Sequence, residues 1–293
     1  MTRPKGAQNI VPFDARRTIE TTSTQSVLHL AKQTERTCLD QFEALLRNQR
    51  NFLHWIDSRH DLLLEAKKQL DPNGRGPKDA TYRKYRWYTQ QQSLLEAING
   101  FEVFYKASMV ALADCLHDYV SPSQIKGAVD AKVLWAQRGE VPLTDLIFEH
   151  RIFHGPEQVD EATAMLVSAK RYNPNNVKSV LYPRVVALQC IFQIRHTLSH
   201  NQGRVTNSDS AKFSALGYDV TPGQVLDPGS NHLGAVVRDL LQLEAREFTD
   251  WLLGKVAEYL VTVATTRTLP VSTRDAIQNR IGQHADITAI NWQ

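Results

Sequence analysis

Arg195, His196, His200 and Asn201 fall within seven residues, in the string Ile194-Arg195-His196-Thr197-Leu198-Ser199-His200-Asn201-Gln202-Gly203. An apolar stretch precedes them and a polar, glycine-containing stretch follows. Charge at the end of a core helix is costly unless it has a partner or a task. On an ideal helix five residues turn through about 500°, so Arg195 and His200 stand roughly 140° apart and about 7.5 Å along the axis. They share no stripe, but they can flank one group from two sides. Asn201 and Gly203 suit a helix stop. That puts His200 at the carboxyl end, where the dipole favours a protonated imidazole. A histidine beside a fixed cation suits phosphodiester cleavage. The imidazole can move a proton on the 2′-hydroxyl or on the leaving oxygen. The guanidinium can stabilise the extra negative charge of the transition state. That chemistry requires no metal.

Two other readings of the same residues stay open. Arg195 and His200 can simply cap the last helix carbonyls, as basic residues at helix ends often do. His196 and His200, four apart, also share a face as in a zinc-binding helix. The glutamate of an HExxH motif is missing there, with Thr197 in its place, and no third ligand is evident. Glu149, His150 and His154 could complete such a site, but they read more simply as helix surface.

The elements that must carry these residues are helical. Val27, Leu30, Ala31, Thr34, Cys38, Phe42, Leu45 and Leu46 recur at three- and four-residue steps, predicting helix over residues 24–70, with room for a break after Leu46. Asp71-Pro72-Asn73-Gly74 with Gly76-Pro77 is a strong stop and the best internal boundary. A second long helix is predicted over 79–119, with Gly100 marking a close helix crossing. Ser121 and Pro122 suit the cap and first turn of a helix running to about Gly139, with Gln124 as the capping-box return. Shorter helices follow over 142–153 and 156–172. The motif helix spans 177–200, with Pro183 kinking it or marking its true start. Residues 201–231 read as a long functional loop without helix, holding a short hairpin near 218–226. A last long helix covers 232–265, and Ser272 begins a small tail helix. The fold class is all-α. Residues 1–23 read as disordered or loosely packed, 24–77 as an accessory helical segment and linker, 78–265 as the main helical domain and 266–293 as a tail.

Arg83, Lys84 and Arg86 alternate with Tyr82, Tyr85, Trp87 and Tyr88. Cations can track phosphates while rings stack on unpaired bases. The plainer reading is the first turns of an amphipathic helix, with Tyr85 and Tyr88 packed and the charges solvated. Arg204 and Lys212 could add phosphate contacts after the motif.

The string Arg-[Asn/His/Asp]-x-x-x-His, followed by Asn-x-Gly, resembles the signature of the HEPN superfamily, and residues 195–203 match it without departure. The likeness extends over about residues 79–265, leaving 1–77 outside. It implies a helical bundle, and for many members a metal-independent endoribonuclease acting as a toxin, in phage defence or in RNA processing. Carried onto this sequence, it implies that Arg195 and His200 are catalytic and that His196 and Asn201 shape the site. An acidic residue on an earlier helix is also implied, and Glu102 holds that place by position. The resemblance further implies a homodimer in which two motif copies face one RNA groove, and allows an antitoxin or regulatory partner. A non-catalytic nucleotide- or RNA-binding scaffold is the competing expectation.

Composition agrees with a globular chain. Its 293 residues are 42% hydrophobic and 22% charged, and a net charge of +3 excludes a histone-like polycation while leaving room for a local basic patch. Cys38, Cys115 and Cys190 are scattered and fit a reducing cytoplasm. The first thirteen residues lack a signal-peptide core, and no run of 18 apolar residues predicts a membrane span. No cofactor is expected.

Overall fold

The computed structural model describes residues 35–73, 79–127, 143–149 and 151–293. The expectations for residues 1–34, most of the helix begun at Ser121, and His150 lie outside these. Among the described residues the chain is helical with no strand. No helix there is long and apolar enough to cross a membrane.

Helix α1, Cys38–Leu70, is one unbroken rod of 33 residues, so the break for which the sequence left room does not occur. Thr37 caps it. Its Oγ1 accepts from Asp40 N at 3.1 Å while Asp40 Oδ2 accepts from Thr37 N at 3.1 Å. Phe42 and Leu46 are buried in the main core together with Cys38, whereas Trp55, Leu62, Leu63 and Leu70 are exposed. Helix α2, Asp79–Leu116, is the central element. Leu94, Ile98, Phe101, Tyr105, Met109 and Leu112 on it are fully buried, each side chain contributing about 1.5–3 kcal/mol by leaving water. The crossing predicted at Gly100 is with α1, since a Cβ there would stand 2.2 Å from Leu45 Cδ2.

After α2 the described start of the helix expected from Ser121 is a 3-10 turn, Pro122–Gln124. Ser121 spends its hydroxyl on Ser123 Oγ at 2.8 Å rather than on a cap, and Ile125 is extended. Helices α3, Leu143–Glu149, and α4, Pro156–Val167, follow. Helix α4 stops before the predicted 172 because Ser168 turns left-handed at φ 56°. Asp160 then gathers the amides of Arg171, Tyr172 and Asn173 at 2.7–2.9 Å, fixing the return of the chain.

Helix α5, Tyr182–Asn201, carries the motif. Pro183 sits in its first turn, where a missing N–H costs nothing, so it starts the helix rather than kinking it. Arg184 Nη1 binds the fully buried Glu244 at 2.7 Å, and Glu244 also receives Arg171 Nε at 3.1 Å and the Tyr172 hydroxyl at 2.8 Å. The start of α5 is thereby locked to a later helix.

The long loop expected after the motif contains a helix, α6, Asn207–Ala215. Thr206 and Asp209 form its capping box. No hairpin forms within 218–226. That stretch pairs back instead, Val205 N donating to Gln224 O and Leu226 N to Gly203 O, each at 2.8 Å. Helix α7, Leu233–Ala264, closes the core, with Leu241, Phe248, Leu252 and Leu260 fully buried. The tail holds two helices rather than one, α8, Val271–Arg280, and α9, Ala285–Ala289.

Candidate functional site

Val185, Leu188, Ile191, Ile194 and Leu198 bury one face of α5. That face fixes the rotation of the helix, and with it the direction of Arg195. Arg195 Nε donates to Asn99 Oδ1 at 2.6 Å. Its Nη1 lies 3.0 Å from His154 Nε2, and its Nη2 lies 3.4 Å from Glu102 Oε2. Asn99 and Glu102 are three apart on α2 and so present to one side. His154 comes from the segment between α3 and α4. Three side chains from two parts of the chain thus hold one guanidinium.

His154 Nε2 also lies 3.0 Å from Glu102 Oε1. One ring nitrogen cannot donate to Glu102 and accept from Arg195 at once. Burial pushes the His154 pKa down; Glu102 pulls it up; Arg195 and His196 push it down again, and the net direction is down. The neutral ring therefore accepts from Arg195. Protonating Nε2 exchanges that bond for one to Glu102.

His200 lies in the last turn of α5, as predicted. Gln202 and Gly203 end the helix in left-handed conformations at φ 51° and 78°, and Gly203 N returns to Thr197 O at 3.1 Å. A Cβ on Gly203 would stand 2.7 Å from Gln91 Nε2. The His196 and His200 rings lie 4.8 Å apart, centroid to centroid, and both side chains are exposed. His154, Arg195, His196, His200 and Lys212 line one open cavity of about 350 Å³ at the amino end of α4. Gln158, Gln189 and Gln193 add amide donors and acceptors to its wall. Arg195 and His200 therefore line one space. Among the described residues no three His, Cys, Asp or Glu side chains are grouped to hold a metal ion.

Asn201 turns away from the cavity to α6. Its Nδ2 donates to Asp209 Oδ2 at 3.0 Å, and Gln193 Nε2 donates to Asp209 Oδ1 at 2.8 Å. Thr206 adds its N–H and hydroxyl at 3.0 and 2.9 Å. Burial alone would raise the Asp209 pKa, but the bonds from Thr206 and Asn201, with His196 nearby, hold the carboxyl below its usual range.

No protein-family model, curated protein or solved structure matches the chain.

Of the five cations expected to meet RNA, Lys212 lines the cavity, and Arg83, Lys84, Arg86 and Arg204 do not. Arg83 and Lys84 are exposed on α2. Arg86 is bound to Asp57 through Nε at 2.6 Å and Nη2 at 2.8 Å, and the Tyr82 hydroxyl joins the same carboxylate at 2.5 Å. Tyr85 and Tyr88 are exposed rather than packed, because the side of α2 that faces α1 is taken by Tyr82 and Arg86. Arg204 Nη1 donates to Gly223 O at 2.9 Å, within its own loop. Three residues of the site escaped the sequence reading. His154 lies on a loop against Arg195 rather than on a helix surface. Asn99 is a polar residue beside the buried Ile98 on the core helix, which was a usable signal. Asp209 is the fourth residue of Thr206-Asn207-Ser208-Asp209, a capping pattern inside a stretch taken for loop.

Proposed function

We propose that the chain is a metal-independent endoribonuclease of the HEPN type, its site built on Arg195 and His200. The observation that carries this reading is the placement of both side chains on one cavity, with the guanidinium held by three side chains. A phosphodiester seated there meets Arg195 on one side and His200 on the other. The 2′-oxygen attacks phosphorus and loses its proton, and the bond to the 5′-oxygen breaks as that oxygen gains one. His200 makes one of these transfers directly, and the products are a 2′,3′-cyclic phosphate and a 5′-hydroxyl. Arg195 stabilises the charge on the non-bridging oxygens. DNA lacks the attacking hydroxyl and is not cut. His196 and Asn201 shape the site, Asn201 by tying the end of α5 to Asp209. Glu102 is the acid that orients Arg195. Lys212 lies where it can meet a phosphate. A homodimer joining two such cavities along one RNA, and an antitoxin or other regulatory partner, belong to the same proposal.

The test is incubation of wild type and His200→Ala with mixed cellular RNA in EDTA, with mapping of the ends. Wild type is expected to leave cyclic phosphates and the variant to lose at least 100-fold in rate. Equal cleavage by both sinks the assignment. A second reading, an RNA- or nucleotide-binding scaffold, is favoured by the engagement of all three Arg195 nitrogens with protein groups. It predicts that Arg195→Ala weakens binding or stability in a protein that never cuts RNA.

A further inference from the structure

Arg238, on the second turn of α7, is 8% exposed. Its Nε is sealed from solvent without a hydrogen-bond partner, and no carboxylate pairs with its guanidinium among the described residues. A buried charge left alone is strongly disfavoured. Its surroundings make this worse. Burial and the neighbouring Arg50 push its pKa down, Asp239 opposes them, Arg86 adds to the push, and the net direction is down. Asp239 is itself bound by Arg50 at 2.9 Å.

A second orphan lies in the same region. Arg86 spends Nε and Nη2 on Asp57, but its buried Nη1 has no partner. The Arg238 side chain folds back over the first turn of α7, where a Cβ on Gly234 would stand 3.4 Å from Nη1. That turn carries no acidic residue, and His232 gives it no side-chain cap. The positive end of a 32-residue helix and a buried guanidinium therefore coincide; Leu233 N donates to Ser230 O and Gly234 N to Pro228 O at 2.8 Å, but no carboxylate pairs with them among the described residues.

We infer that the junction of α1, α2 and α7 is a phosphate-binding site, in which Arg238, the unpartnered Nη1 of Arg86 and the amino end of α7 receive one phosphate group. The phosphate belongs either to an RNA strand or to a small phosphorylated compound. The nearby surface suits a polyanion. The described residues 47–73 and 80–88 hold eight Lys and Arg against four Asp and Glu, in a chain whose whole net charge is +3. Trp55, Tyr85 and Tyr88 stand exposed along the same two helices. Arg86 precedes Asn99 by thirteen residues on α2, about 20 Å, so a phosphate bound here lies well away from the Arg195 cavity. Only the RNA source rests on the ribonuclease reading; the anion site does not.

The experiment uses full-length wild type, Arg238→Met and Arg238→Lys. Thermal unfolding is followed against inorganic phosphate at constant ionic strength, which involves neither RNA nor cleavage. Phosphate is expected to raise the Tm of wild type, and the rise is expected to vanish in Arg238→Met, which keeps the stem and removes the charge. Arg238→Lys carries the same comparison should the methionine variant not fold, because it keeps the charge and loses the fork. Binding of a labelled 20-nucleotide single strand is then measured in a His200→Ala background, so that nothing is cut. If RNA is the source, Arg238→Met binds it about tenfold more weakly, with a salt slope smaller by about one. If the source is a small phosphorylated compound, the phosphate-dependent rise is lost while RNA binding stays the same. An equal rise in Tm for all three proteins, with equal RNA affinity, overturns the site.

Discussion

Arg195 Nε and Asn99 Oδ1 are joined at 2.6 Å across 96 positions of sequence. With that nitrogen held, the planar guanidinium has no freedom to swing, and its two remaining nitrogens are aimed at His154 and Glu102. A cation fixed before substrate arrives needs no reorganisation as charge develops, which is where electrostatic catalysis gains most. Asn99 is therefore as much a part of the site as the motif residue it holds.

On the ribonuclease reading proposed above, Asn99→Ala is expected to lower kcat on RNA by about ten- to a hundredfold, the usual scale for a misplaced catalytic group. Tm should change little, because the partly exposed Asn99 makes one bond. Asn99→Asp keeps the acceptor and should retain most of the activity. Steady-state cleavage of a labelled RNA checks both, and full activity in Asn99→Ala would remove the orienting role.

His154 gives a titration whose direction can be tested. Its ring should titrate below the ordinary histidine range in the folded protein, chiefly through burial, with Glu102 opposing and Arg195 assisting. Arg195→Met should move the value up and Glu102→Gln should move it further down, read by the imidazole resonances in NMR. The unfolded chain binds the proton more readily, so this group's contribution to stability is full above the ordinary histidine pKa. It is lost as pH falls from there through the folded value. A downward shift in Arg195→Met, or an upward one in Glu102→Gln, would show that the Glu102–His154–Arg195 cluster is not coupled as drawn.

How much of this was legible in the sequence depends on range. The long helices α1, α2 and α7 were readable because each buries a periodic face, and Pro183 and Gly203 marked the ends of α5 by their own backbone limits. The crossing at Gly100 was readable as a gap, though not which helix would fill it. Helix α6 shows no apolar stripe because eight of its nine residues are polar or small and Phe213 stands alone, and its start is fixed by the Thr206 box and the bonds to Asp209. The partners of Arg195 were out of reach for another reason. Asn99, Glu102 and His154 meet it only through packing of α2 and of the segment before α4 on α5, and no local pattern encodes that.

Asp209 is 1% exposed and accepts from Gln193, Asn201 and Thr206. Asp209→Asn swaps an acceptor-only group for one with donors of its own, so at least one bond is broken. The expected loss is about 1–3 kcal/mol at neutral pH, the range for a buried group left unsatisfied. In wild type the carboxyl sits below its usual range, so its contribution is present above the unfolded carboxylate pKa and fades as pH falls through the folded one. Chemical denaturation at pH 7 and at pH 3 tests this. A gap between wild type and variant that is wider at pH 3 than at pH 7 would contradict the assignment.

Gly203 separates two contributions that one substitution mixes. At φ 78° any side chain strains the backbone, and a Cβ would also stand 2.7 Å from Gln91 Nε2. The backbone part alone should cost about 1 kcal/mol or more. The contact falls on the end of a flexible side chain, so Gln91→Ala should relieve it. Gly203→Ala is therefore expected to destabilise the protein, and Gly203→Ala with Gln91→Ala to recover only part of the loss relative to Gln91→Ala alone. Full recovery would mean that the contact, not the left-handed turn, requires glycine. In that case the turn could be built from other residues, and the Asn-x-Gly that follows His200 would serve the packing of α2 against the end of α5 rather than the stop that leaves His200 at the cavity.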